Sequence, residues 1–160
     1  MRIRLKKNLL KNKSNKSIRT LKVMFLALIG IFVLLLAYFV IPAPDSLKRL
    51  LFPVVAVLAF IFFLLGGVLV FLTLKSKLKG KQKTFLLLTG ISALGFLVFV
   101  ILHNLFYALS MLASNIIVLK SLLEFLHVAF FIIATIGCPT GFLIGAIGTL
   151  VKFNRKKSKK

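Results

Sequence analysis

Hydrophobic residues occupy four long, nearly uninterrupted segments of this chain, separated by short polar connections. The segments are residues 22–41, 50–74, 85–109 and 122–151. Each is long enough to cross a membrane, because a helix needs about 20 apolar residues to span the hydrocarbon core. Since backbone amides in lipid must be satisfied within their own segment, helices are predicted throughout. The predicted fold is all-α, an antiparallel bundle of four transmembrane helices in a membrane domain of residues 23–151.

The composition excludes a soluble globular domain as the alternative to a membrane protein. Hydrophobic residues make up 60% of the chain, and Asp45 and Glu124 are its only acidic residues. A soluble domain of 160 residues needs a polar exterior, so lipid must be the outer solvent here. The uniformly apolar first span is predicted to be a lipid-facing anchor. The sequence has no phosphate-binding glycine loop or metalloprotease motif, and it leaves little chain outside the membrane, so we do not expect an enzyme.

Basic residues are concentrated in three of the five segments outside the hydrophobic runs. The tail 1–22 carries nine, the connection around 75–83 carries five, and the tail 152–160 carries six. Three basic residues remain for the other two connections: Lys48, Arg49 and Lys120. Because short basic segments stay in the cytoplasm, both termini are predicted to be cytoplasmic, in a multi-pass protein of the plasma (inner) membrane.

These charges also predict the partners of the tails. Basic residues beside a membrane span attract the anionic lipids of the inner leaflet, by about 1 kcal/mol each. The tails carry no interleaved aromatic residues of the kind on which nucleic-acid bases stack, so no nucleic-acid partner is predicted.

The residues with the most varied chemistry lie in the second hairpin. At about 100° per residue, four polar residues of span three share one face: Ser92, His103, Tyr107 and Ser110. His103 lies 20 residues beyond Lys83, and Glu124 and His127 lie 28 and 25 residues before Lys152, so all three are expected near the outer interface. The sequence therefore predicts one polar cluster there: His103, Asn104, Tyr107, Glu124 and His127.

Several roles are open for this cluster. His103, Glu124 and His127 are the residue types that bind a divalent transition metal. Two histidines are also able to ligate haem, or to pass a proton through Glu124. The structural alternative is that Glu124 pairs with Lys120 or His127 and that His103 donates to a backbone carbonyl. We predict no cofactor and leave haem and a divalent metal as the alternatives.

Span four also carries a stripe of small residues. Gly137, Gly141 and Gly145 repeat every four residues and Gly148 follows three later, a pattern that lets another helix backbone approach closely. Pro139 is predicted to kink the helix, because it lacks an amide hydrogen and its ring clashes with the preceding turn. The pattern does not tell whether the neighbouring helix belongs to the same chain or to another copy.

Two stretches of the second hairpin carry a family resemblance. The sequences LHNLFYAL at 102–109 and LEFLHVAFF at 123–131 resemble small four-span prokaryotic membrane proteins of unassigned function. The resemblance implies a four-span fold and no particular activity. Small multidrug exporters also have four spans, but their pattern places a Glu inside the first one, and the first span here contains none.

Three classes of function remain. The first is a non-enzymatic membrane component that packs against itself or a larger partner through the glycine stripe of span four, and we prefer it. The second is a small oligomeric transporter or pore, with His103 and Glu124 lining a polar path. The third is a haem- or metal-binding membrane protein.

Overall fold

The computed structural model describes the backbone of residues 2–157 and the side chains of residues 18–153. Helices occupy most of that length, in chain order: α1 (Arg2–Val40), α2 (Asp45–Lys75), α3 (Lys81–Leu112), α4 (Ile117–Ile132) and α5 (Cys138–Lys157). A π-helical segment, Ile133–Gly137, joins α4 directly to α5, so the two form one continuous span.

The predicted all-α fold with four membrane-spanning helices is confirmed. Four segments of the described chain are long and apolar enough to cross a membrane: Ile18–Val40, Asp45–Lys75, Lys81–Leu112 and Ile117–Phe153. All four begin before the predicted hydrophobic segments and three also end after them, because the flanking residues continue the helices. The side chains of residues 1–17 and 154–160, which carry most of the two basic tails, lie outside the described part.

Helix α3 packs closely against two of the other three spans. This helix contacts α2 along one side and α4 and α5 along the other, while α1 packs on α2. Aromatic side chains connect α1 to α5: the ring centroids of Phe32 and Phe142 are 4.4 Å apart, and those of Phe25 and Phe153 are 6.1 Å apart. No residue of α4 is buried. The bundle is therefore closed along α5 and more open along α4.

The two ends of the bundle differ in charge. At one end the Lys22 ammonium lies 4.8 Å from the ring centroid of Phe153. The start of the first span and the end of the last span therefore meet there. The lysine-rich connection between α2 and α3 lies at this end too, which we call the basic end. The opposite end carries both carboxylates of the chain, Asp45 and Glu124, with the connections 41–44 and 113–116. We call it the acidic end because it holds both carboxylates, although Lys48, Arg49 and Lys120 lie there too.

The first span is more than the lipid-facing anchor that its uniform sequence predicts. Four of its side chains are buried at intervals of four, three and seven residues: Leu21, Phe25, Leu28 and Leu35. This spacing places them on one face of the helix, which packs into the bundle core. The remaining faces of α1 are largely exposed, as expected in lipid.

The interruption of span four lies immediately before Pro139. The Cys138 amide donates to the carbonyl of Ile133, five residues back, which is the hydrogen bond of a π-helical turn. A proline ring clashes with the carbonyl four residues before it in a regular α-helix. The wider turn places an additional residue there, which is the physical reason for a π-helical segment at this position.

Candidate functional site

The two histidines of the predicted cluster form a reciprocal contact between α3 and α4. The imidazole rings of His103 and His127 stack with centroids 4.0 Å apart and planes 19° apart. Nδ1 of His103 lies 3.1 Å from the carbonyl oxygen of His127, and Nδ1 of His127 lies 3.0 Å from the carbonyl oxygen of His103. Both side chains are half-buried. We call this arrangement the histidine clasp.

The clasp determines where the ring protons lie. A carbonyl oxygen only accepts hydrogen bonds, so Nδ1 of each ring carries a proton and donates it. In a neutral imidazole that is protonated at Nδ1, Nε2 carries the lone pair. Each carbonyl has two lone pairs, so it accepts from the imidazole without giving up its bond within the helix. A hydrogen bond between two membrane helices contributes about 1 kcal/mol, and the clasp has two.

Of the predicted cluster, the structure also brings Tyr107 to the histidines. Its ring centroid is 5.1 Å from that of His127, and the ring centroid of Phe131 is 5.1 Å from that of His103. Aromatic packing continues along the same hairpin, where Phe130 contacts both Phe99 and Phe106. The neighbours of the clasp are therefore aromatic rings rather than charged groups.

The remaining two members of the predicted cluster have other partners. The Asn104 side chain is exposed and donates to the carbonyl of Val100, on its own helix, at 2.8 Å. The Glu124 carboxylate lies 3.8 Å from the Lys120 ammonium, one turn away on α4, and both side chains are about half exposed. These contacts correspond to the structural alternative described above, in which Glu124 pairs with Lys120 and His103 donates to the backbone.

The geometry of the clasp does not suit a metal ion or a haem held between the two histidines. An imidazole binds a metal in the plane of its ring, at about 2.0–2.1 Å from the nitrogen. Two rings that stack face to face direct their lone pairs along nearly parallel planes, which do not converge on one ion. Two axial haem ligands lie on opposite faces of the porphyrin, whereas these rings are in contact with each other. Within residues 18–153, no three His, Cys, Asp or Glu side chains are grouped to hold a metal ion.

Three glycines of the predicted stripe face α3 of the same chain. A Cβ atom added to Gly145 would lie 2.5 Å from Oγ1 of Thr89 and 2.9 Å from the carbonyl oxygen of Phe85. Such an atom on Gly141 would meet the Ser92 hydroxyl at 2.6 Å, and on Gly148 the Phe85 ring at 2.5 Å. These separations are below van der Waals contact. We call Gly141, Gly145 and Gly148 the glycine seam.

Gly137 does not share this contact. The nearest atom to a Cβ added there is Cγ2 of Ile133, on the same helix, at 3.7 Å. Gly137 is the last residue of the π-helical segment, and such a segment adds one residue to the turn. The contact with α3 continues instead, three residues before Gly141, through Cys138, whose Sγ lies 3.1 Å from a Cβ atom added to Gly95.

Sequence reasoning missed a second polar group, at the start of α2. Tyr38, Asp45, Lys48 and Arg49 line one open recess of about 360 Å³ at the acidic end. The Tyr38 hydroxyl donates to the carbonyl oxygen of Lys48 at 3.0 Å and connects α1 to α2 there. The available signal was the occurrence of one carboxylate and two cations within five residues, next to a connection that is otherwise apolar.

Comparisons with protein-family models, with curated proteins and with solved structures find no significant match to this chain.

Proposed function

We propose that this chain is a non-enzymatic membrane component whose role depends on helix packing rather than on chemistry at a polar site. The observation that carries this proposal is the histidine clasp, because both imidazoles direct their N–H donors to backbone carbonyls of the facing helix. Glu124, the carboxylate that metal or proton chemistry in the second hairpin requires, is paired with Lys120 instead.

The glycine seam supports the same proposal and changes where a partner would bind. Its residues are in contact with α3, so they are not available to another molecule while the bundle is intact. A second copy or a larger membrane protein would meet α4 instead, since none of its residues is buried. Val118 and Phe125 on α4 are 82% and 69% exposed.

A single preparation tests this proposal against its two rivals. The full chain is purified in mild detergent from cells supplied with haem precursor and transition metals, and one portion is reconstituted into vesicles. We expect no Soret absorption, metal well below one equivalent, and proton and potassium flux equal to that of empty vesicles. The physical reason is that the clasp uses both imidazoles for packing.

Two variants make the outcome specific, with Asn104→Ala as a matched control on the exposed face of α3. A Soret band or a stoichiometric metal that disappears in His103→Ala would overturn the proposal in favour of a haem or metal protein. A flux that disappears in Glu124→Gln and persists in Asn104→Ala would overturn it in favour of a transporter.

We also propose that the chain lies in the plasma (inner) membrane with its basic end facing the cytoplasm. Twenty of the 23 Lys and Arg residues belong to the two tails and the connection of this end. Such a bias sets the orientation of short connections during insertion. It also places the tails beside the anionic lipids of the inner leaflet, which we propose as their partners.

Accessibility of single cysteines checks this orientation. Cys138 is the only cysteine, so a Cys138→Ser background leaves none. In intact cells, a membrane-impermeant maleimide is expected to label Asn115→Cys and to label Lys79→Cys only after permeabilisation. The reverse pattern would show that the acidic end is cytoplasmic, and equal labelling of both would show a mixed orientation.

A further inference from the structure

A second recess adjoins the polar recess at the acidic end and shares two of its lining residues. It is a groove of about 350 Å³ between α1 and α2, and its walls are almost entirely apolar. Tyr38 and Lys48 line both spaces. The other groove residues used in the argument below are Leu34, Leu51, Val55 and Leu58. A charged recess and an apolar groove therefore lie side by side, with Tyr38 and Lys48 between them.

The charges at the head of this groove are not paired with each other. Asp45, Lys48 and Arg49 line the same recess, yet no ion pair within 4 Å joins them in the described part of the chain, where the pair found is Lys120–Glu124. A carboxylate and two cations that do not neutralise one another leave both signs of charge open to a ligand. The Arg guanidinium and the Lys ammonium both bind phosphate oxygens, and a carboxylate binds an ammonium group.

The length of the groove corresponds to one leaflet of a bilayer. Lys48 and Leu58 are ten residues apart on α2, which is about 15 Å of helix. This equals half of a hydrocarbon core about 30 Å thick. An acyl chain whose headgroup is at Lys48 therefore ends near Leu58.

We propose that the α1–α2 groove binds one phospholipid with a primary ammonium headgroup, of the phosphatidylethanolamine type. Lys48 and Arg49 hold the phosphate, Asp45 accepts hydrogen bonds from the ammonium group, and an acyl chain occupies the groove down to Leu58. A choline headgroup is a poorer ligand because its quaternary nitrogen has no N–H to donate. A glycerol headgroup is poorer because it leaves the Asp45 carboxylate without a cation.

Lipid binding to the full chain in detergent, followed by native mass spectrometry, tests the headgroup site. We expect phosphatidylethanolamine to bind at least about tenfold more tightly to the wild type than to Lys48→Gln/Arg49→Gln, because two charge-assisted hydrogen-bond donors are lost. Asp45→Asn is expected to abolish the preference over phosphatidylcholine. Lys120→Gln is the matched control, a lysine of the same end outside the recess, and it is expected to bind as the wild type does.

Equal binding to all four proteins, or equal binding of diacylglycerol and phosphatidylethanolamine to the wild type, would overturn the proposal. Circular dichroism of each variant checks that its helices are intact. The next experiment leaves the charged residues unchanged, so it tests the same lipid site even if one of these variants fails to fold.

The chain contains no tryptophan, so a single introduced one is a unique fluorophore. Leu51 lines the groove, whereas its neighbour Leu50 is at nearly the same depth, is 74% exposed and does not line it. In phosphatidylcholine bilayers doped with phosphatidylethanolamine of brominated acyl chains, we expect Leu51→Trp to be quenched at a lower mole fraction than Leu50→Trp. Identical quenching curves would mean that ordinary boundary lipid covers this surface, which would overturn the proposal.

Discussion

Replacing Gly145 by isoleucine is expected to separate α5 from α3 and to lower the free energy of unfolding by more than about 3 kcal/mol. The Cβ atom of the new side chain alone would lie 2.5 Å from Oγ1 of Thr89 and 2.9 Å from the carbonyl oxygen of Phe85. A backbone carbonyl does not move aside as a flexible side chain does, so the helices themselves must separate. Gly145→Ala is expected to have the same effect in weaker form, about 1–3 kcal/mol.

An engineered disulfide measures this separation directly. A Cβ atom added to Gly95 on α3 lies 3.1 Å from Sγ of Cys138 on α5, close to the distance of about 3 Å from Cβ to the far sulfur of a disulfide. Gly95→Cys is therefore expected to cross-link to Cys138 on oxidation, read as protection of both thiols from maleimide. Adding Gly145→Ile should remove the cross-link.

The matched control for the seam is Gly30 on α1. Nothing lies within 4 Å of a Cβ atom added there, so Gly30→Ile should leave both the cross-link and the stability unchanged. If Gly145→Ile cross-links as well as Gly30→Ile does, then α5 does not depend on the seam, and the proposed role of helix packing loses its main support.

Breaking the histidine clasp is expected to produce the second large effect. His103→Ala removes one hydrogen bond between the helices, exposes the partner ring and ends the stacking, a combined loss of about 2–3 kcal/mol. His103→Phe keeps a stacked ring and removes only the donor, so a loss of about 1 kcal/mol is expected. The measurement is the unfolding free energy in mixed micelles as the fraction of denaturing detergent is raised.

A double-mutant cycle separates the two contributions of the clasp. The pair His103→Phe/His127→Phe should lose about 2 kcal/mol, one for each hydrogen bond to a carbonyl, if the bonds act independently. Asn104→Ala, whose amide bonds within its own helix, should change stability by less than about 0.5 kcal/mol. A doubly substituted protein as stable as the wild type would show that the clasp contributes stacking alone.

The candidate site could be predicted only in part, and the individual residues show why. Helical periodicity and loop position were sufficient to suggest that His103, Tyr107 and His127 lie at a similar height on adjacent helices. Helical periodicity gives no rotamers, so it did not show that each imidazole reaches the opposite backbone. It also placed Glu124 with the histidines, whereas the nearby Lys120 on the same helix pairs with it.

The second polar group was missed for a different reason. Asp45, Lys48 and Arg49 look like ordinary charges at the end of a span when the sequence is considered alone. Their spacing groups them on one face of α2, but the apolar groove beside them depends on the position of α1, which is connected to Lys48 through the Tyr38 hydroxyl. No local pattern in α2 contains that information.

The sequence by itself determined that this protein is a bundle of four membrane-spanning helices, because hydropathy and length are properties of each segment alone. Only the tertiary structure decided which face of each helix is buried. In lipid the surfaces that face the solvent and the surfaces that face a neighbouring helix are both apolar, so the pattern that marks a buried face in water is absent. The stripe of Leu21, Phe25 and Leu28 on α1 and the position of Gly137 outside the glycine seam were for this reason visible only after the helices were packed together.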